Sequence, residues 1–161
     1  MTINKFNLRP ATLEDEDEIF ELFAVVHSLH AEARPEFFRP AKQDALFKED
    51  FQAAVEADDH HIIIAEHSDG MAGYVRYRVF NTREGLYTVP LKFTHISQIA
   101  VHARFRRTGC ASVLLDHIRA HAHQLDLTFV SLEHWWFNEP ALKTFSNHGF
   151  VPQRQAMWLA V

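Results

Sequence analysis

The sequence predicts an α/β domain: a mixed β-sheet carrying helices on both of its faces. Two observations predict it. Apolar residues recur with strand spacing and helix spacing in the order β-α-α-β-β-β-α-β-α-β. Within that order, residues 93–132 read strand–helix–strand, which demands a right-handed parallel crossover, while two apolar runs flank the turn His67-Ser68-Asp69-Gly70 as an antiparallel hairpin. A chain of 161 residues is the size of one domain, so residues 1–161 are expected to form a single unit.

Residues 6–9 are the first strand, stopped by Pro10. Thr12 follows as a helix N-cap, with Asp15 three residues on in a near capping box. The run Glu14-Asp15-Glu16-Asp17-Glu18 then falls in the first turns, where carboxylates complement the positive end of the helix dipole. That accounts for the run better than a metal site does. Ile19, Leu22, Phe23, Val26 and Leu29 continue at helical spacing. Pro35 and Pro40 make residues 30–40 a loop or broken helix. Its adjacent Phe37 and Phe38 either dock on the core or wall a pocket.

A second helix spans residues 41–57, with Phe47, Phe51 and Val55 on one face. Residues 61–66 form a buried strand and residues 72–80 its hairpin partner. Residues 81–90 connect to a strand at 93–101. A helix over 109–124 places Ala111, Leu114, Ile118 and Ala122 on its core stripe. A strand at 128–132, a helix at 139–148 and a last strand at 156–159 complete the order.

Composition excludes several classes. Apolar residues at 47% and charged residues at 23% mark a globular chain and not a disordered one. A net charge of −5 argues against a general nucleic-acid binder, which needs a basic surplus. Cys110 stands alone, so no intrachain disulfide forms, and a reducing, cytoplasmic setting is expected. The opening residues hold no apolar signal segment, and no apolar run approaches the ~20 residues that span a bilayer. No membrane or nucleic-acid partner is expected.

The most informative segment runs Ile99-Ala100-Val101-His102-Ala103-Arg104-Phe105-Arg106-Arg107-Thr108-Gly109-Cys110-Ala111-Ser112. A strand ends, a basic loop turns, and a helix starts at a glycine among small residues. Free backbone N–H groups and the helix dipole at such a start hold phosphate oxygens. Gly109 and Ala111 keep side chains out of the approach, and Arg104, Arg106 and Arg107 add positive charge. Neither Gly-x-x-x-x-Gly-Lys-Ser/Thr nor Gly-x-Gly-x-x-Gly occurs. A second block follows the next strand: Trp136-Phe137-Asn138-Glu139-Pro140-Ala141, then Phe145, then His148-Gly149-Phe150.

Together the two blocks resemble the GNAT superfamily of N-acetyltransferases. That family carries Arg/Gln-x-x-Gly-x-Gly/Ala after its fourth strand, matched here by Arg106, Gly109 and Ala111. Its Asn-x-x-Ala…Gly-Phe block after the fifth is matched by Asn138, Ala141, Gly149 and Phe150. The opening Leu8-Arg9-Pro10-Ala11-Thr12 with Asp15 is also similar, so the resemblance covers nearly the whole chain.

The resemblance implies a GNAT-like fold in which the fourth and fifth strands splay and acetyl-CoA enters the gap, leaving as CoA. Ile99, Ala100 and Val101 would pair with its pantetheine amides as an added strand would. Residues Arg106, Arg107, Thr108, Gly109, Cys110, Ala111 and Ser112 would cradle its pyrophosphate. Asn138 and Phe145 would flank it. The acceptor, a small-molecule or peptide amine, would come from the side of the first two helices and meet His30, Phe37 and Phe38. A homodimer is compatible with the family. Phe145 replaces the family's frequent Tyr, a general acid, and a phenyl ring donates no proton. A thiol with a pKa near 8.5 can still leave as thiolate.

The base that deprotonates the amine is sought among His95, Glu133 and His134. Some family members place an acidic base four residues before the first cofactor-pairing position, which here is His95, and imidazole suits work near neutral pH. Glu133 is the second candidate. The twelve histidines also raise a metal question. His117 and His121 share a helix face at i and i+4, but no further ligand joins them. They are read as solvated, as are His60, His61, His27 and His30, and no metal is expected. Cys110 sits at a helix start that could lower its pKa, yet no His/Asn pair argues for thiol catalysis. Two functions follow: acetyl transfer from acetyl-CoA to a primary amine, or an acyl-CoA-binding module without turnover.

Overall fold

The computed structural model describes residues 5–159. Its strands are β1 (Asn7–Pro10), β2 (His60–His67), β3 (Gly70–Asn81), β4 (Lys92–Val101) and β5 (Phe129–Leu132). Its helices are α1 (Glu16–Ala33), α2 (Ala45–Glu56), α3 (Cys110–Gln124) and α4 (Glu139–Asn147). The five strands lie in chain order in one sheet. β1 to β4 run antiparallel to their neighbours, and β5 returns parallel to β4 through α3. The expected mixed sheet, hairpin and crossover are all present.

Each face of the sheet carries its own core. On one face Val75, Tyr77, Ile96, Leu114, Ile118 and Phe145 bury together beneath α3 and α4. On the other, Ile19, Leu22, Phe51, Ile64 and Tyr74 bury beneath α1 and α2. Each large apolar side chain taken out of water contributes roughly 1.5–3 kcal/mol, so both helix layers are held mainly by these stripes. Arg9 ties the layers at their start. Its guanidinium donates to Asp15 at 2.6 and 2.8 Å and to Glu66 at 2.7 Å. Asp15 in turn accepts from the Thr12 N–H at 2.7 Å, so the capping box forms, and Arg9 holds its carboxyl below the usual range.

Three expectations need correction. Residues 30–33 continue α1, because the first proline comes only at Pro35. α2 begins at Ala45, not at Ala41: Asp44 is its N-cap and accepts from the Phe47 N–H at 3.2 Å. The last strand at 156–159 does not form. Val151, Met157, Trp158 and Leu159 stand 67%, 89%, 74% and 88% exposed. An apolar pattern makes a strand only when a ladder pairs it, and this segment makes none with β5. Among the described residues, no helix is long and apolar enough to cross a membrane.

One irregularity decides what faces the site. Arg76 pairs with Gln98 and Tyr77 with Ile96, which leaves Ser97 as a bulged extra residue whose Oγ donates to the Arg76 carbonyl at 3.2 Å. Side-chain alternation therefore changes phase there. Ile96 and Ile99 both pack toward the α3 core, and Ala100 toward the α1/α2 core. His95, paired with Arg78, shares its face with Gln98 and Ala100 and not with Ile99, as unbroken alternation would have it.

Candidate active site

β4 and β5 pair only from Phe93↔Phe129 to Ile96↔Leu132. Beyond that point β4 continues along β3 to Val101 while the segment after β5 turns away toward α4. Residues 97–101 thus present one edge with no strand partner among the described residues, roughly 16 Å of strand. Such an edge is a template for an extended amide-bearing ligand. Ile99 and Val101 turn their backbone groups to it, while those of Ala100, between them, face Tyr74 on β3.

The edge leads directly to the basic loop. A short 3-10 turn, Ala103–Phe105, is capped by His102, and Arg107 (φ 62°) and Gly109 (φ 96°) both adopt left-handed backbone. The first bond of α3 joins the Val113 N–H to the Gly109 carbonyl at 3.1 Å, so the N–H groups of Cys110, Ala111 and Ser112 precede the ladder. A Cβ built on Gly109 would meet no atom within 4 Å, so the space over this helix start is open. Neither Arg106 nor Arg107 forms an ion pair among the described residues. Free N–H groups, an open cradle and two unpaired guanidinium groups together suit a diphosphate. Thr108 holds the loop in shape, its hydroxyl donating to the Phe105 carbonyl at 2.6 Å.

Arg104, read from sequence as part of this charge, is engaged elsewhere. It donates to the Asp69 carbonyl and lies 4.7 Å from the Phe105 ring centroid. Cys110 is also corrected. The residue is 1% exposed, and burial pushes its thiol pKa up to about 11. Gly73 is a position for which strand periodicity gave no role. A Cβ there would stand 2.5 Å from the Ala100 carbonyl oxygen and 3.2 Å from the Cys110 sulfur. An isolated glycine inside a strand pattern is the sequence signal for such a close approach.

Asn138 caps α4, its Oδ1 accepting from the Ala141 N–H at 3.3 Å. Phe145 is a core residue, 7% exposed and packed on Phe150 at 5.9 Å. Among the candidate bases, His95 is half-buried, with Nδ1 2.9 Å from the Ser131 hydroxyl and its ring edge-on to Phe80. Nε2 has no hydrogen-bond partner among the described residues. Glu133 is exposed and accepts from Arg154 at 2.8 Å. His134 Nδ1 lies 3.1 Å from the Trp135 carbonyl oxygen.

On the α1/α2 side, His30, Phe37 and Phe38 come together. Phe38 lies 5.4 Å from His30 and 5.1 Å from Trp135, and Phe37 lies 5.5 Å from Trp135. His27 joins them, stacked on Phe23 at 4.9 Å, so neither His27 nor His30 is simply solvated. Away from the site, His121 sits with Nδ1 3.0 Å from the Tyr77 hydroxyl and its ring 4.9 Å from His61. Desolvation lowers the pKa of both His61 and His117, so these too are half-buried rather than solvated. Among the described residues no group of three or more His, Cys, Asp or Glu is arranged for a metal ion.

Comparison with known proteins adds the family. The model of the acetyltransferase (GNAT) family matches residues 24–150. No curated protein matches the chain. Among solved structures, a tetramutant of the BH1408 protein from Bacillus halodurans superposes with a TM-score of 0.90 at 24% identity, covering 96% of this chain and 99% of that one. The aminoglycoside 6'-N-acetyltransferase AAC(6')-Ih from Acinetobacter baumannii gives 0.73 at 13% identity, covering 97% of each chain. The aminoglycoside acetyltransferase meta-AAC0020 from an uncultured soil metagenomic sample, solved with sisomicin, gives 0.69 at 14% identity, covering 98% and 96%. At these identities the likeness establishes the fold. The family model spans most of the chain, both halves of the site included, and the chain belongs to the GNAT acetyltransferase family.

Proposed function

We propose that this chain transfers the acetyl group of acetyl-CoA to a primary amine by direct attack in a ternary complex. The observation that carries this is the free edge of β4 running into the open, N–H-rich start of α3. Acetyl-CoA supplies the activated thioester. The β4 edge around Ala100, through the outward backbone groups of Ile99 and Val101, would hold the pantetheine amides, and residues 106–112 its diphosphate. Membership of an acetyltransferase family and a fold shared with aminoglycoside acetyltransferases support the reaction class.

His95 is assigned as base, because it lies on the acceptor face just before the strands part and keeps Nε2 free. It takes one proton from the substrate ammonium. The freed amine nitrogen bonds to the carbonyl carbon, and the carbon–sulfur bond breaks with its electron pair going to sulfur. The second nitrogen proton ends on that thiolate, giving the free thiol. Glu133 is the weaker assignment, being exposed and held by Arg154. Phe145 donates nothing, so departure of sulfur rests on the acidity of the thiol itself.

The test is incubation with acetyl-CoA and a panel of primary amines, following thiol release and the mass of the product. An N-acetylated amine formed in step with free thiol is expected. Tight CoA binding without any amide product would overturn the assignment and favour the acyl-CoA-binding module.

A further inference from the structure

We infer that the acceptor is a small monoamine bearing an aromatic ring, seated on an aromatic strip beside the free edge of β4; this rests on the amine acetylation proposed above. The strip is continuous across four segments: α1, the loop after it, α2 and the connection after β5. Phe47 of α2 lies 5.7 Å from Phe23 of α1, Phe23 stacks on His27, His27 meets Phe38 edge-on at 5.8 Å, and Phe38 meets Trp135 at 5.1 Å. Phe38 and Trp135 belong to neither buried core, so stabilising the sheet layers does not account for them.

A cavity of about 180 Å³ lies over the Phe47–Phe23–His27 end of this strip and reaches Gln98. Gln98 is on β4 beyond its last pair with β5, on the face that also carries His95. A ring stacked on Phe23 and His27 would therefore point a short amine-bearing arm at the strand edge assigned to the thioester. The charges around the cavity decide between amine classes. Its one lining carboxylate, Asp50, is taken by Arg76 in a two-point pair at 2.5 and 3.2 Å. The other charged side chains there are Arg39, which pairs with Asp44 at 3.1 Å, and Lys42, which forms no ion pair among the described residues. A polyamine or aminoglycoside brings several ammonium groups, which would meet these cations with no free carboxylate to pair them. A single ammonium, neutralised at the moment of attack, attached to an uncharged ring suits the same wall.

The experiment compares kcat/KM for phenethylamine, hexylamine, spermidine and sisomicin with acetyl-CoA saturating. Phenethylamine is expected to exceed each of the others by about two- to tenfold, the scale of one good aromatic contact. Phe38→Ala, which removes the ring held edge-on against His27, is expected to lower the phenethylamine value more than the hexylamine value. The wild-type panel stands without the variant should Phe38→Ala fold poorly. Spermidine, sisomicin or hexylamine acetylated as well as phenethylamine would overturn this inference while leaving N-acetylation intact. No acetylation of any amine would overturn both.

Discussion

Gly109 offers the sharpest separation of fold from site. Its φ of 96° is left-handed, a conformation that costs an L side chain about 1–2 kcal/mol. A Cβ there meets no atom within 4 Å, so no clash adds to that cost. For a domain of this size 1 kcal/mol moves Tm by about 2–4 °C. Gly109→Ala and Gly109→Trp should therefore both fold and melt about 2–8 °C below wild type. Their response to CoA should differ. At about 100 times its Kd, a ligand adds about 2.7 kcal/mol, or about 5–11 °C here. The Ala methyl leaves the cradle over α3 largely open, so most of that shift should persist. An indole fills the cradle, so the shift should vanish. The assay is thermal denaturation of the three proteins against graded CoA. A full CoA shift in Gly109→Trp would refute the placement of the diphosphate at this helix start.

Three further outcomes follow from other residues. Burial, then Arg76 and Arg78, lower the pKa of His60 to about 4, against about 6.5 in the unfolded chain. The unfolded state thus takes up the proton first, so stability is complete above about pH 6.5 and declines toward about pH 4. His60→Gln should flatten that decline in urea titrations across this window, and an unchanged slope would contradict the assignment. Gly73→Ala places a methyl 2.5 Å from the Ala100 carbonyl and should cost about 1–3 kcal/mol while weakening CoA binding, both readable by thermal shift; a neutral variant would mean that β3 and β4 part easily. His95→Ala should lower kcat by about 10²–10⁴-fold with CoA affinity nearly intact. A fully active variant would end its role as base.

Much of the site was legible because it is written locally. A helix start with glycine, small neighbours and arginines needs only consecutive residues, and the loop from Arg106 to Ser112 stands where that pattern placed it. The strand–helix–strand crossover was equally readable from periodicity. The features that escaped depend on pairing between distant segments. The bulge at Ser97, which puts His95 on the same face as Gln98 and Ala100, is set by register with Arg76 and Tyr77 on β3. The segment 156–159 has the apolar content of a strand but no ladder to make it one. Arg104 turns to Asp69, far along the chain, although its neighbours in sequence suggest a phosphate ligand. The aromatic strip joins residues of α1, α2 and two connections, a convergence that no single window contains.

The central claim is that one continuous surface, from the unpaired edge of β4 to the start of α3, holds acetyl-CoA. Hydrogen–deuterium exchange with and without CoA tests it most directly. The account predicts slowed amide exchange within residues 97–101, where Ile99 and Val101 turn their N–H groups to the free edge, and within residues 107–112, since N–H groups there would gain acceptors. Tight CoA binding that leaves both segments exchanging at their free rates, or protects the α1/α2 face instead, would contradict it.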